Sequence, residues 1–184
     1  MTKDAVNIVW FKRDLRFIDN EALFHAHQSG LPLLLLYIFE PSVMNYDDAD
    51  ARHWRFIYES IQELQKKLKP SNNKIYFFHN EAEFVFSEIF KYFDVKTIFS
   101  HQEIGNKITF DRDIRMQQIF QENNIIWKEF QLHGVIRKLK SRQNWDKRWE
   151  EIMRANPKIL KESDLKTIEL ESEFYNSIKG KILS

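Results

Sequence analysis

Cysteine is absent from the 184 residues, which excludes disulfides, cysteine-based metal centres and cysteine nucleophiles. Glycine and proline are scarce, four of each, so long flexible segments are not supported. Glycine-rich phosphate loops are missing too. Neither G-x-G-x-x-G nor G-x-x-x-x-G-K-[ST] occurs, which argues against a dinucleotide-dependent dehydrogenase or a P-loop enzyme. No apolar run reaches the length of a membrane span, and the opening residues lack the apolar stretch of a secretory signal. Cytoplasmic localisation without membrane contact is the default expectation. An excess of positive charge is lacking as well. The formal net charge is +1, so any nucleic-acid surface would have to be local.

What is present describes a globular domain with a tail. Hydrophobic residues make up 43% and charged residues 30%, which argues against wholesale disorder. Sixteen phenylalanines read first as a well-filled core and second as the walls of a flat ligand pocket.

Short apolar runs alternate with amphipathic segments. Residues 6–11, 31–39, 74–78, 96–100 and 125–130 read as strands, the second buried on both faces. Between them lie helical patterns. The first is capped by Asp19 or Asn20 and followed by Gly30. The second opens near Ala51 after a polar loop over residues 42–50, carries Trp54, Ile57, Ile61, Leu64 and Leu68, and ends at Pro70. A capping-box-like pair, Asn80 and Glu83, precedes a third helix bearing Val85, Ile89 and Phe93. The fourth spans residues 108–120, with Ile108, Ile114, Ile119 and Phe120 facing inward. Repeated βα units imply an α/β fold, a Rossmann-like doubly wound five-stranded parallel sheet. The domain is expected over residues 1–132, and residues 133–184 read as an extended linker with at most a short helix.

In such sheets, ligands bind beyond the carboxyl ends of the strands. The segments that follow strands one to four therefore converge on one crevice. His25 and His27, two apart on a helix, do not share a face, and the other histidines stand singly. No metal site and no catalytic residue are expected. Asp47 and Asp48 read as solvated loop charges, whereas Glu103, after strand four, lies at the crevice. Asp14, Arg16, Asp19 and Asn20 read first as architectural, fixing the turn and the next helix start. Arg13 is the better ligand candidate, because a guanidinium binds phosphates and stacks on flat rings.

The opening segment VNIVWFKRDLRFIDNEAL resembles that of the DNA photolyase/cryptochrome family, W-F-R-x-D-L-R-x-x-D-N-x-A-L. Trp10, Phe11, Arg13, Asp14, Leu15, Arg16, Asp19, Asn20, Ala22 and Leu23 carry the likeness, and Lys12 stands where arginine is usual. Weaker likenesses follow in order: LYIFEPS over residues 36–42, the helix over residues 52–68, Arg112 with Asp113, and residues 133–153. The resemblance implies the amino-terminal, antenna-binding domain of a deoxyribodipyrimidine photolyase that repairs UV-damaged DNA. The implied antenna is a deazaflavin, FMN or methenyltetrahydrofolate. It would lie against Phe11, Lys12 and Arg13 after strand one, Phe39 and Glu40 after strand two, Arg52 on the following helix, and Glu103.

In the family, FAD occupies a separate helical domain, through which damaged DNA is also bound. No W-x-x-G-x-T-G-like segment is found here, so the chain alone is expected neither to hold the catalytic FAD nor to act as the light-dependent lyase. Three alternatives stand beside this reading. One is a cryptochrome-type blue-light signalling or interaction fragment. Another is a small α/β nucleotide-binding protein of the universal-stress or electron-transfer-flavoprotein kind. The third is a nucleic-acid module using the basic residues from Arg137 to Arg148 with Trp145 and Trp149. Trp145, Trp149, Phe174 and Tyr175 would otherwise pack on the helical domain, or be exposed and invite a homodimer.

Overall fold

A computed structural model describes residues 3–132, 141 and 143–180. Five parallel strands form one sheet: β1 (Asp4–Phe11), β2 (Leu33–Phe39), β3 (Ile75–His79), β4 (Phe93–His101) and β5 (Ile126–Phe130). Their spatial order is β3-β2-β1-β4-β5, so the winding reverses between β1 and β4. β1 and β2 are central, and the run from Val6 to Phe11 is wholly buried, as is all of β2. This is why they read as continuous apolar runs rather than as alternating ones.

Helices cover both faces. α1 (Glu21–Gln28) and α3 (Ala51–Leu68) pack on the side of Val9, Phe11, Leu35 and Tyr37. α4 (Ala82–Tyr92) and α5 (Lys107–Glu122) cover Ile8, Trp10, Leu36 and Ile98. The strand period of two divides each strand between these layers. A short helix, α2 (Pro41–Met44), replaces the first part of the loop expected after β2.

Several local expectations are corrected. Asn20 alone caps α1, its Oδ1 accepting from Leu23 N at 2.9 Å. Asp19 has φ of 54° and its carboxylate accepts from Lys158 N. Asn80 and Glu83 form no capping box: Asn80 donates to Ile178 O, and Glu83 accepts from Arg115. Phe93 opens β4 instead of closing α4. On α5 the inward face holds Thr109, Arg112, Asp113, Met116 and Phe120, while Ile114 is 56% exposed. The first half of this helix lies over the strand ends, where its inner partners are charged, and a hydrophobic pattern therefore points to the wrong face.

An extended linker was expected for the tail, and its described residues after α6 instead pack on the sheet. α6 (Trp145–Arg154) buries none of its residues, but the segment after it returns to the sheet. Leu33 N donates to Lys166 O and Ile168 N to Leu33 O, extending the start of β2. α7 (Ser172–Ile178) then lies along the edge strand β3. There the Tyr175 hydroxyl donates to Phe77 O, and His79 N donates to Lys179 O. Edge groups that would stay unpaired are thus satisfied by the tail. Leu160, Leu165, Leu170, Phe174 and Ile178 are all buried. Leu160, Leu165 and Leu170 stand five apart, which matches neither the helical nor the strand period, and only Phe174 and Ile178, four apart on α7, show a helical spacing too short to stand out among the charges.

Phe174 packs on Tyr92 and Phe93 and is only 5% exposed. Phe174→Ala is expected to destabilise the domain by about 3–5 kcal/mol, the usual range for deleting a buried phenyl ring. Trp149→Ala, on the exposed face of α6, should change stability by less than about 1 kcal/mol. Urea unfolding of both variants checks this, and an unchanged midpoint for Phe174→Ala would restore the linker reading.

Candidate functional site

The carboxyl ends of β1 and β4 flank the reversal in strand order, and a buried pair ties them together. Asp14 Oδ2 lies 2.5 Å from His101 Nδ1. Asp14 Oδ1 also accepts from Lys12 N at 2.9 Å, and Asn20 Nδ2 donates to Oδ2 at 3.1 Å. Burial pushes the Asp14 carboxyl up, but the His101 contact and these hydrogen bonds outweigh it and hold the group below its ordinary value. His101 stands alone in the sequence, and only the parallel pairing of β1 with β4 brings it to Asp14.

Beside this pair lies a buried charge network. Lys12 Nζ is 2.9 Å from Asp113 Oδ2 and sits over two indoles, 4.6 Å from the Trp10 ring and 4.9 Å from that of Trp127. A slim ammonium stem enters this slot and adds cation–π attraction to the ion pair. Desolvation lowers the Lys12 pKa, opposed mainly by Asp113. The Arg112 guanidinium pairs with Glu40, with Asp113 at 2.9 Å, and with Glu103 at 3.5 Å. Arg13, half exposed, donates to Glu103 Oε1 at 2.8 Å. Gly105 keeps this turn open, because a Cβ there would meet Arg13, Glu103 and Thr109.

Above the network opens a cavity of about 630 Å³. Its floor is buried and polar: Lys12, Glu40, Glu103 and Arg112 line it, together with the buried Trp10 and Tyr37. Its rim is solvent-facing and includes Arg13, Arg16, His53 and Phe56. Of the residues anticipated for this crevice, Phe11, Lys12, Arg13, Glu40 and Glu103 line it, and two do not. Phe39 is 2% exposed and packs edge-on against Tyr37 and Phe77 inside the core. Arg52 is turned outward at the start of α3, paired with the N-cap Asp50 at 2.9 Å, and its neighbours His53 and Trp54 take the wall instead. Asp48 is exposed as expected, and it also lines the wall, accepting from Asn106 Nδ2 at 3.0 Å. Trp54 adds a feature no sequence pattern carries: its indole N–H is buried without a hydrogen-bond partner.

Glu40, on the floor, is displaced in acidity as well. Burial pushes its carboxyl up to about 7, partly offset by Arg112 and reinforced by Glu81 and Glu83. These three carboxylates come within 4.8 Å of one another, yet Glu81 also accepts from Ser42 and Glu83 from Arg115.

Residues 7–154 match the family model described as DNA photolyase. The chain belongs to the DNA photolyase family. A deoxyribodipyrimidine photo-lyase of Vibrio cholerae is 32% identical over 129 residues, 68% of this chain and 27% of that protein. A cryptochrome DASH of Synechocystis is 33% identical over 102 residues, 53% of this chain and 21% of its own length. Among solved structures, the Synechocystis cryptochrome superposes with a TM-score of 0.71 at 23% identity, covering 95% of this chain and 41% of that one. An archaeal photolyase from Sulfolobus tokodaii gives 0.71 at 21% identity, covering 96% and 42%. The photolyase-family fold is therefore shared almost throughout, although the chain spans well under half the length of these relatives. The match leaves the universal-stress or electron-transfer-flavoprotein alternative without support. Among the described residues no helix is long and apolar enough to cross a membrane. Arg137, Lys138, Lys140 and Arg142 lie outside the described residues, so the basic tract is seen only from Gln143 onward.

The Glu40 shift carries a pH signature. Between its ordinary value of 4.5 and about 7, the folded chain keeps a proton that the unfolded chain has released. Stability from this group therefore falls as pH rises through that window, by up to about 3 kcal/mol. Glu40→Gln should flatten this part of the profile. Chemical denaturation at pH 5 and pH 8 measures it, and parallel profiles for wild type and variant would show that Glu40 is ionised throughout.

Proposed function

We propose that this chain is the pigment-holding part of a photolyase that repairs UV-damaged DNA. In this reading the cavity at the carboxyl ends of β1 and β2 takes a planar antenna chromophore: a deazaflavin, FMN or methenyltetrahydrofolate. The bound pigment supplies light absorption, and its excitation passes to an FAD carried by a separate helical domain, the part that also engages damaged DNA. The observation that carries the reading is the cavity itself. It lies at the reversal of strand order, has aromatic walls and a buried polar floor, and its volume is within the range of about 300–1,000 Å³ usual for small-molecule sites. The buried, unpartnered N–H of Trp54 in its wall is consistent with a site whose polar groups await a ligand.

The chain's own residues have definable tasks here. The Asp14–His101 pair and the Arg13–Glu103 pair fix the two strand ends. Tyr37 and Trp54 supply aromatic lining, while Glu40 and Arg112 present polar atoms to the heteroatoms of a flat ring. The Sulfolobus photolyase is described as holding two FAD molecules, with the implication of a novel light-harvesting cofactor, which supports a pigment role for this fold. Trp145 and Trp149, stacked 6.5 Å apart and about two-fifths exposed on α6, supply the surface for the helical domain.

The reading is tested by adding deazaflavin, FMN or methenyltetrahydrofolate to the purified chain and recording difference absorption and dialysis retention. One of them is expected to bind with a shifted absorption band. Retention of none would remove the antenna role while leaving the family membership in place.

A further inference from the structure

We propose that the cavity selects a phosphorylated planar ligand, with the Arg16 guanidinium as its phosphate contact. This rests on the pigment-holding reading and narrows it to one chemical class.

The argument begins with charge. On the floor, each cation already has its counter-charge: Lys12 with Asp113, Arg112 with Glu40 and Asp113, and Arg13 with Glu103 on the way to the rim. Arg16 differs. Its Nε and Nη2 both donate to one backbone carbonyl, Asp19 O, at 3.1 and 2.9 Å, and among the described residues no carboxylate pairs with it. Nη1 has no protein acceptor there. The acid elsewhere on the wall, Asp48, is occupied by the Asn106 amide. An un-neutralised guanidinium, held in place at the mouth of a cavity, is a phosphate site by chemistry, since its planar N–H donors match phosphate oxygens.

Position supports the same assignment. A phosphate dianion is costly to bury, so it belongs at the solvent-facing rim, where Arg16 stands, and not over the closed network below. Phe56, which lines the same cavity while 71% exposed, offers a ring face at that rim. The arrangement fits a flat heterocycle in the cavity, with a short chain that carries phosphate outward to Arg16. A bare planar ring leaves the Arg16 charge unused.

The test compares FMN with riboflavin, which share one ring system and differ by the phosphate. Each is titrated into the purified chain by flavin fluorescence at low and at high salt. FMN is expected to bind at least about tenfold more tightly than riboflavin at low salt, with the ratio shrinking as salt rises. In Arg16→Gln the ratio should fall towards one, and Arg16→Lys should keep part of it. Thermal melts verify that both variants fold. Should Arg16→Gln unfold, Arg16→Lys and the salt dependence of the wild type carry the comparison. Equal affinity of the wild type for both flavins would overturn the phosphate assignment and leave the pigment reading intact. Failure of FMN, riboflavin, deazaflavin and methenyltetrahydrofolate alike to bind would overturn both.

Discussion

A carboxylate held between an imidazole and a tight turn governs the geometry of this domain. Asp14 follows the last residues of β1, where the ladder has run out, and its bond to His101 joins the end of β1 to the end of β4. The same carboxylate accepts from Lys12 N, which sets the turn, and from Asn20, which caps α1. One buried group thus fixes a strand end, a helix start and the gap between two strands. The Arg112 network depends on that alignment, because Glu40, Glu103 and Asp113 come from three different segments and meet only when β1, β2 and β4 end at the same level. A buried ion-pair network of this kind is weak evidence for stability, since desolvation opposes the attraction. Its clearer effect is to give the cavity a polar base whose charges are largely neutralised within the protein.

The sheet was legible in the sequence because its signal is strong and local. Apolar runs at residues 6–11 and 31–39 admit no other reading in a chain with helical patterns between them, and five parallel strands follow. Helix ends were less legible. Asp19 and Asn20 are equally good caps by composition, and only the left-handed backbone at Asp19 decides for Asn20. α5 misled in a more instructive way. A helix that lays Arg112 and Asp113 into the interior reverses the usual inference from hydrophobic pattern, and its apolar Ile114 faces solvent.

The crevice was legible as a place more than as a set of side chains. Residues that directly follow strands β1, β2 and β4 could be assigned to it by topology, and Arg13, Glu40 and Glu103 lie there. Phe39 was misplaced because a strand's last residue can point either to the cleft or to the core, and alternation puts it with Tyr37 beneath α3. Arg52 was misplaced by one position on a helix, where each step turns the side chain by about 100°. The pairing of His101 and the unpartnered N–H of Trp54 carried no sequence signal, since contact between distant strand ends and a missing hydrogen-bond partner are properties of three dimensions.

The slot that holds Lys12 has an optical consequence. Two indoles, Trp10 and Trp127, lie 6.1 Å apart and share one ammonium, and Trp10 also forms part of the cavity wall. Indole emission responds to nearby charge and to any chromophore that can accept its excitation. The packing of these two indoles around one ammonium therefore makes their emission the part of the protein's fluorescence most exposed to events at the strand ends.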